Sequence, residues 1–202
     1  SSVDLSNNLL LENLNFYNNQ IESIDVSFLY SLKTLNISNN NFTTIDVSTN
    51  SSITILNVSK NDLTSLDLVP NVKLTTLDCS SNQLSSLHIN NGFNQNLTYF
   101  DSTDNPYLIC ILVDDQNEAN TYPNWQKDAQ ASYKLICDDD DNDGVSNEED
   151  LCPNTPFDAT VDFFGCPYFM MPVDNFAILI TGETCLNSNN GKVNISAKET
   201  YN

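Results

Sequence analysis

The 202-residue chain has no arginine, one histidine, one tryptophan and seven lysines, set against 27 acidic residues. A formal net charge of −20 repels phosphate backbones and anionic headgroups alike, so nucleic acid and an anionic membrane surface are poor partners. No apolar run approaches the ~18 residues that a bilayer-crossing helix needs, so no direct membrane insertion is expected. A lone histidine leaves no Ser-His-Asp or Cys-His constellation and too few ligands for zinc, and the chain reads as non-enzymatic. The opening Ser1-Ser2-Val3-Asp4-Leu5 shows no secretory leader and already reads as repeat, as expected where a natural N-terminus has been removed.

What is present is a phrase that returns every 21 residues. It reads Leu14-x-Phe16-x-x-Asn19-x-Ile21, Leu35-x-Ile37-x-x-Asn40-x-Phe42, Leu56-x-Val58-x-x-Asn61-x-Leu63 and Leu77-x-Cys79-x-x-Asn82-x-Leu84. Leu11, Leu32, Ile53, Leu74 and Leu97 precede it, and a fifth, irregular copy runs from Leu97 through Phe100 to Asn105. The phrase resembles the leucine-rich repeat signature L-x-x-L-x-L-x-x-N-x-L, which implies a solenoid. One such unit cannot bury its apolar face, so Leu14, Leu35, Leu56, Leu77 and Phe100 are expected to stack into one ladder. A buried Asn in each turn offers both donor and acceptor to backbone groups that the bend leaves unpaired.

The second half of each unit alternates as Ile24-Asp25-Val26, Ile45-Asp46-Val47, Leu66-Asp67-Leu68 and Leu87-His88-Ile89. That predicts a short extended segment on the convex side, because a unit this short leaves little room for a helix. His88 takes the place of Asp25, Asp46 and Asp67 and is expected to face outward.

Of the six cysteines, Cys79 stands at a core position and reads as a small hydrophobe. Cys110 with Cys137 and Cys152 with Cys166 make sense as local pairs, which implies an oxidising, extracellular compartment. Cys185 is left over, either free or paired beyond Asn202.

Four segments follow. Residues 1–113 form the repeats, and 114–137 form a cap stapled by Cys110–Cys137. In that cap Asn117 to Ala131 has helical character, and Trp125 and Tyr133 are available to cover the last open rung. Residues 138–167 turn abruptly acidic, and 168–202 carry the alternating runs Phe176-x-Ile178-x-Ile180 and Val193-x-Ile195-x-Ala197 around the turn signal Asn187-Ser188-Asn189-Asn190-Gly191. Two strands do not make a stable sheet alone, so this last segment reads as the start of a truncated Ig-like β-sandwich.

The acidic stretch from Asp139 to Asp150 spaces oxygen ligands as a calcium loop does. Asp139, Asp141, Asp143, the Val145 carbonyl, Asn147 and Asp150 fall at positions 1, 3, 5, 7, 9 and 12, and Gly144 falls at the sharp turn. Position 12 is a shorter Asp where Glu is usual, and no amphipathic helices flank the loop. Solvated like-charge runs need no ion, but this spacing favours Ca2+ over magnesium, which demands stricter octahedral geometry.

Asp139 to Pro153, continued by Asn154-Thr155-Pro156 and Val161-Asp162-x-x-Gly165-Cys166-Pro167, resembles a thrombospondin type 3 calcium-binding repeat of bacterial surface proteins. Together with Glu183-Thr184-Cys185-x-Asn187-x-x-Asn190-Gly191, the chain is similar to Bacteroidetes-type surface leucine-rich repeat proteins. That resemblance implies export by the type IX secretion system, association with secretion and anchoring machinery of the outer membrane, and a C-terminal sorting domain that these residues do not show.

Function then rests on the concave face. Its expected columns are Asn13, Thr34, Ile55, Thr76 and Tyr99; Asn15, Asn36, Asn57, Asp78 and Asp101; and Tyr17, Ser38, Ser59, Ser80 and Thr103. Short, polar and neutral to acidic, they suit a protein or glycan ligand, with Tyr17, Tyr99 and Ile55 as contact anchors. The expectation is a secreted or cell-surface recognition or adhesion protein with a calcium-stiffened spacer. The alternatives are a non-catalytic module of a larger secreted enzyme and a passive structural stalk.

Overall fold

Parallel strands of two or three residues, one or two per repeat, are what the 21-residue period produces. The structure, a computed structural model, describes residues 2–156, 159–168, 176–181 and 192–197. In chain order the strands of the repeat region are β1 (Ser2–Val3), β2 (Asn13–Asn15), β3 (Ser23–Ile24), β4 (Thr34–Asn36), β5 (Ile55–Asn57) and β6 (Ser65–Asp67). They continue as β7 (Thr76–Asp78), β8 (Ser86–His88), β9 (Tyr99–Asp101), β10 (Cys110–Leu112), β11 (Trp125–Gln126) and β12 (Ser132–Lys134).

Six of them make one long sheet in the order β11-β9-β7-β5-β4-β2, and β12-β10-β8-β6 make a second. The register aligns Leu14, Leu35, Leu56, Leu77, Phe100 and Trp125 as neighbours across the long sheet. Leu66, Leu87, Ile111 and Tyr133 align likewise in the second. Both rows point inward: Leu35, Leu56, Leu77, Phe100, Leu87 and Ile111 are wholly buried. Each added rung therefore extends a continuous apolar core without creating a new one.

From the second phrase on, the asparagine does the work that its chemistry predicts, whereas Asn19 of the first is exposed and donates to Phe16 O and Tyr17 O at 3.1 and 3.2 Å. Asn61 Oδ1 accepts from the Phe42 amide at 3.0 Å, while its Nδ2 donates to the carbonyls of Ile37, Val58 and Ser59 at 3.1, 3.0 and 3.3 Å. Asn40, Asn82 and Asn105 repeat the pattern. A second ladder on the opposite edge, not anticipated from the sequence, uses Asn50 and Asn71. Asn50 Nδ2 donates to Val26 O and Leu29 O at 2.9 Å each, and Asn71 Nδ2 to Val47 O and Asn50 O at 3.1 Å each. Its signal was legible, since these two also stand 21 residues apart.

The cap departs from expectation. Only Gln116–Ala119 is helical, a single turn N-capped by Asp115, whose carboxylate accepts from the amides of Asn117 and Glu118. Pro123 follows soon after, and the residue before a proline is pushed out of the helical region. The chain then adds one more rung, with β11 pairing to β9 and β12 to β10. Trp125 and Tyr133 are ladder residues here. Cys110–Cys137 is formed across 27 residues and ties this final turn to the one before it.

By contacts the chain divides into two units, Ser1–Asp140 with Ser146–Glu148, and Asp141–Val145 with Glu149–Asn202. The second unit contains the Cys152–Cys166 bridge and an antiparallel pair, β13 (Phe176–Thr181) with β14 (Lys192–Ala197), registered Phe176 to Ala197 and Thr181 to Lys192. Cys185 and the Asn187–Gly191 turn lie outside the described residues. Among the described residues no helix is long and apolar enough to cross a membrane.

Candidate functional site

Two places gather the residues singled out from the sequence. The first is the outward face of the long sheet, where alternation puts Asn13 and Asn15 on the side opposite Leu14, and so on rung by rung. Tyr17 is 59% exposed, Ile55 41% and Tyr99 38%. The middle column is more constrained than its residue types imply. Asn36 Oδ1 accepts from the Ser38 amide at 3.0 Å and hydroxyl at 2.7 Å, and Asn57 with Ser59, Asp78 with Ser80 and Asp101 with Thr103 do the same. At Asn15 only the Tyr17 amide takes part. Each pair is an Asx-type turn that closes the strand end, so one oxygen of every Asn or Asp is already engaged. The serine column is spent on the same turns, and Ser59 is buried. Ser38, Ser59 and Ser80 therefore cap turns, and Ser38 and Ser80 are half-buried.

What remains outward changes along the sheet. Rungs β2, β4 and β5 present the amides of Asn15, Asn36 and Asn57, whereas β7 and β9 present the carboxylates of Asp78 and Asp101, which are register neighbours. Asn57 Nδ2 reaches Asp78 Oδ2 at 3.3 Å, where the two regions meet. Desolvation first, and then the charges of Asp101 and Asp78, push the Tyr99 phenol above its usual range. No lysine or histidine stands in the three columns.

The second place is the acid loop. Its aspartates divide between the two units, Asp139 in the first and Asp141, Asp143 and Asp150 in the second. Gly144 turns the chain at φ +96°, and Asn142 beside it is also left-handed at φ +61°. Asn147, at the ninth place of the loop, bonds to the chain on the other side of it. Its Oδ1 accepts from the Asp140 amide at 2.9 Å and its Nδ2 donates to Asp138 Oδ1 at 2.9 Å, so it laces the loop's two ends together.

In the second unit the carboxylates are held by amides. Val145 donates to Asp143 Oδ1 at 2.9 Å, Thr155 to Asp141 Oδ2 at 2.6 Å and Cys152 to Asp150 Oδ1 at 2.7 Å. Asp143 Oδ2, by contrast, is buried with no hydrogen-bond partner. Leaving a carboxylate oxygen so costs several kcal/mol unless something positive meets it.

Gly165 walls the same space. A Cβ added there would collide with Asp150 Oδ1 and lie 2.8 Å from Asp143 Oδ2, and the residue sits at φ +73°. Hard oxygen donors, an orphaned buried oxygen and a wall that only glycine can form fit a calcium ion. Asp141, Asp143 and Asp150 would hold it in this unit. Thr155 and Gly165 were not singled out as site residues from the sequence, and both carried a signal only through the resemblance.

Comparison with known proteins agrees with the fold. Residues 31–51 and 73–95 match the family model described as Leucine Rich Repeat. A similar solved structure is the functional domain of InlJ from Listeria monocytogenes, whose title adds that it includes a cysteine ladder. The TM-score is 0.52 at 29% identity, over 67% of this chain and 33% of that one. A stretch of 32 residues is 56% identical to outer membrane porin F of Pseudomonas aeruginosa, over 16% of this chain and 9% of that protein. The chain thus spans only part of the length of either. With the repeated phrase and the in-register parallel ladders, the family-model match and the InlJ likeness make the first unit a parallel β-solenoid of leucine-rich-repeat type, with six rungs along its long sheet.

Proposed function

We propose that this chain is the recognition part of an extracellular protein, binding a protein ligand on the outward face of the long sheet and calcium in the acid loop. The observation that carries the first half is the face itself: Tyr17, Ile55 and Tyr99 stand exposed among rigid Asx-type turns. Aromatic anchors on a preorganised backbone lose little entropy on binding. Two disulfides support the compartment. The stretch shared with an outer membrane porin favours the cell envelope.

Calcium would neutralise the acidic run and turn residues 138–150 from a tether into a stiff spacer between the repeats and the β13–β14 pair. Calorimetry of the intact chain with calcium chloride should give a saturable heat that disappears in Asp141→Ala. Absence of heat from the native chain overturns the calcium reading. For the face, a screen of purified surface proteins should yield a binder whose affinity falls at least about tenfold in the Tyr17→Ala/Tyr99→Ala variant. Binding that survives in the variant, or a glycan array that responds where no protein does, overturns it.

A further inference from the structure

We propose that the Cys152–Cys166 bridge is part of the cation site, pinning the turn around Gly165 against Asp143 and Asp150 so that bridge and cation stabilise each other. The inference rests on the reading of the acid loop as a calcium site.

The two half-cystines flank the cradle directly. Cys152 donates its amide to Asp150 Oδ1 at 2.7 Å, and Cys166 follows Gly165, the wall against Asp150 Oδ1 and Asp143 Oδ2. Thr155, itself buried, clasps the two sides. Its hydroxyl donates to Cys152 O at 3.0 Å and Gly165 O at 2.7 Å, and its amide donates to Asp141 Oδ2 at 2.6 Å. The Leu151 amide reaches Phe164 O at 2.9 Å. Bridge, wall and carboxylates therefore form one closed arrangement.

Opening the bridge leaves the wall held by these hydrogen bonds alone. Water then reaches Asp143 Oδ2, and the demand that a cation would meet is relieved. A cation that binds the closed arrangement better must favour that arrangement by the same factor, because coupling is reciprocal. Reduction is the process this opposes. A dithiol reductant gives up two electrons and two protons, closing into its own cyclic disulfide, while Cys152 and Cys166 become thiols.

The test uses the full chain. Calcium affinity by calorimetry should fall about tenfold or more in Cys152→Ser/Cys166→Ser. Alkylation and mass spectrometry under dithiothreitol should show Cys152 and Cys166 reduced several-fold more slowly in saturating calcium than in chelator. Gly165→Ala, which keeps both cysteines, should show no calcium heat and a reduction rate indifferent to calcium. If the double variant does not fold, the native reduction rates decide alone. Equal rates with and without calcium, in a native chain that binds it, overturn the coupling and leave the calcium site standing. No calcium heat from the native chain removes the site and the coupling together.

Discussion

Trp125 lies beside Phe100 as the sixth neighbour in the inward row of the long sheet, their ring centroids 5.1 Å apart with planes at 73°. The indole N–H donates to Leu97 O at 2.7 Å, and Tyr122 and Tyr133 pack on the ring at 4.7 and 5.6 Å. One residue thus supplies apolar area, edge-to-face contacts and a satisfied buried donor at the last rung. Trp125→Ala should cost about 3–5 kcal/mol by urea denaturation, and Trp125→Phe about 1–2 kcal/mol, since it keeps most of the area and loses the hydrogen bond.

Replacing the ladder asparagine tests a different term. Asn61 meets four backbone groups from two rungs. Asn61→Leu keeps roughly the volume but strands the Phe42 amide, while the carbonyls of Ile37, Val58 and Ser59 keep Asn40 Nδ2, Asn82 Nδ2 and the Asn39 amide as donors. One unpaired buried amide should cost about 1–3 kcal/mol. Hydrogen exchange at the Phe42 amide should rise with it; unchanged protection there would show that water or a shifted turn had taken over the role.

The rungs were legible because the phrase carries both halves of their physics: inward Leu at one phase and the bend's Asn at another. The cap was not, because its rung is spelled Trp125-Gln126 and Ser132-Tyr133-Lys134, with no Asn phrase and a spacing that differs from the repeat. Its polar run between Asn117 and Ala131 imitates a helix that Pro123 stops. In the acid loop the alternate aspartates were legible from spacing, and Gly144 turns the chain beside Asp141 and Asp143 at φ +96°. Asp143's wall was hidden, because Gly165 arrives from a distant part of the chain through the Cys152–Cys166 closure. Spacing also assigned Asn147 a ligand's place, which its amide contacts to Asp138 and Asp140 do not require.

A third prediction concerns the left-handed residue after each strand. Asn18, Asn39, Lys60, Ser81 and Asp104 all sit at φ between 55° and 61°. Asparagine and aspartate tolerate that region and lysine does not, since its Cβ crowds the following carbonyl. Lys60 is exposed and holds Ser80 O through its backbone amide at 2.9 Å, a bond that any residue can make. Lys60→Gly should therefore stabilise the solenoid by about 1 kcal/mol net of glycine's extra unfolded-state entropy, and the β-branched Lys60→Val should destabilise it by a similar amount. Thermal melts of the two variants should bracket the native chain; a loss in Lys60→Gly would refute the strain argument.

The last prediction is a pH effect with a defined sign. The Tyr133 hydroxyl is buried against the final rung with no hydrogen-bond partner, and Lys127 Nζ lies 5.5 Å from the ring centroid. Desolvation, with a smaller contribution from Cys79, drives the phenol far above its usual range. The folded state thus favours the neutral form more than the unfolded chain does. Its contribution to stability is complete below the unfolded tyrosine's pKa of about 10 and is lost as pH rises from there toward the folded value. Urea midpoints should hold steady between about pH 7 and 9 and decline above about 10. In Tyr133→Phe the part of the alkaline decline due to this residue should vanish. The same variant should gain about 1 kcal/mol at neutral pH, because a buried hydroxyl without a partner is removed and the ring beneath Lys127 is kept. A lower midpoint in Tyr133→Phe at pH 7 would mean that the hydroxyl is satisfied after all.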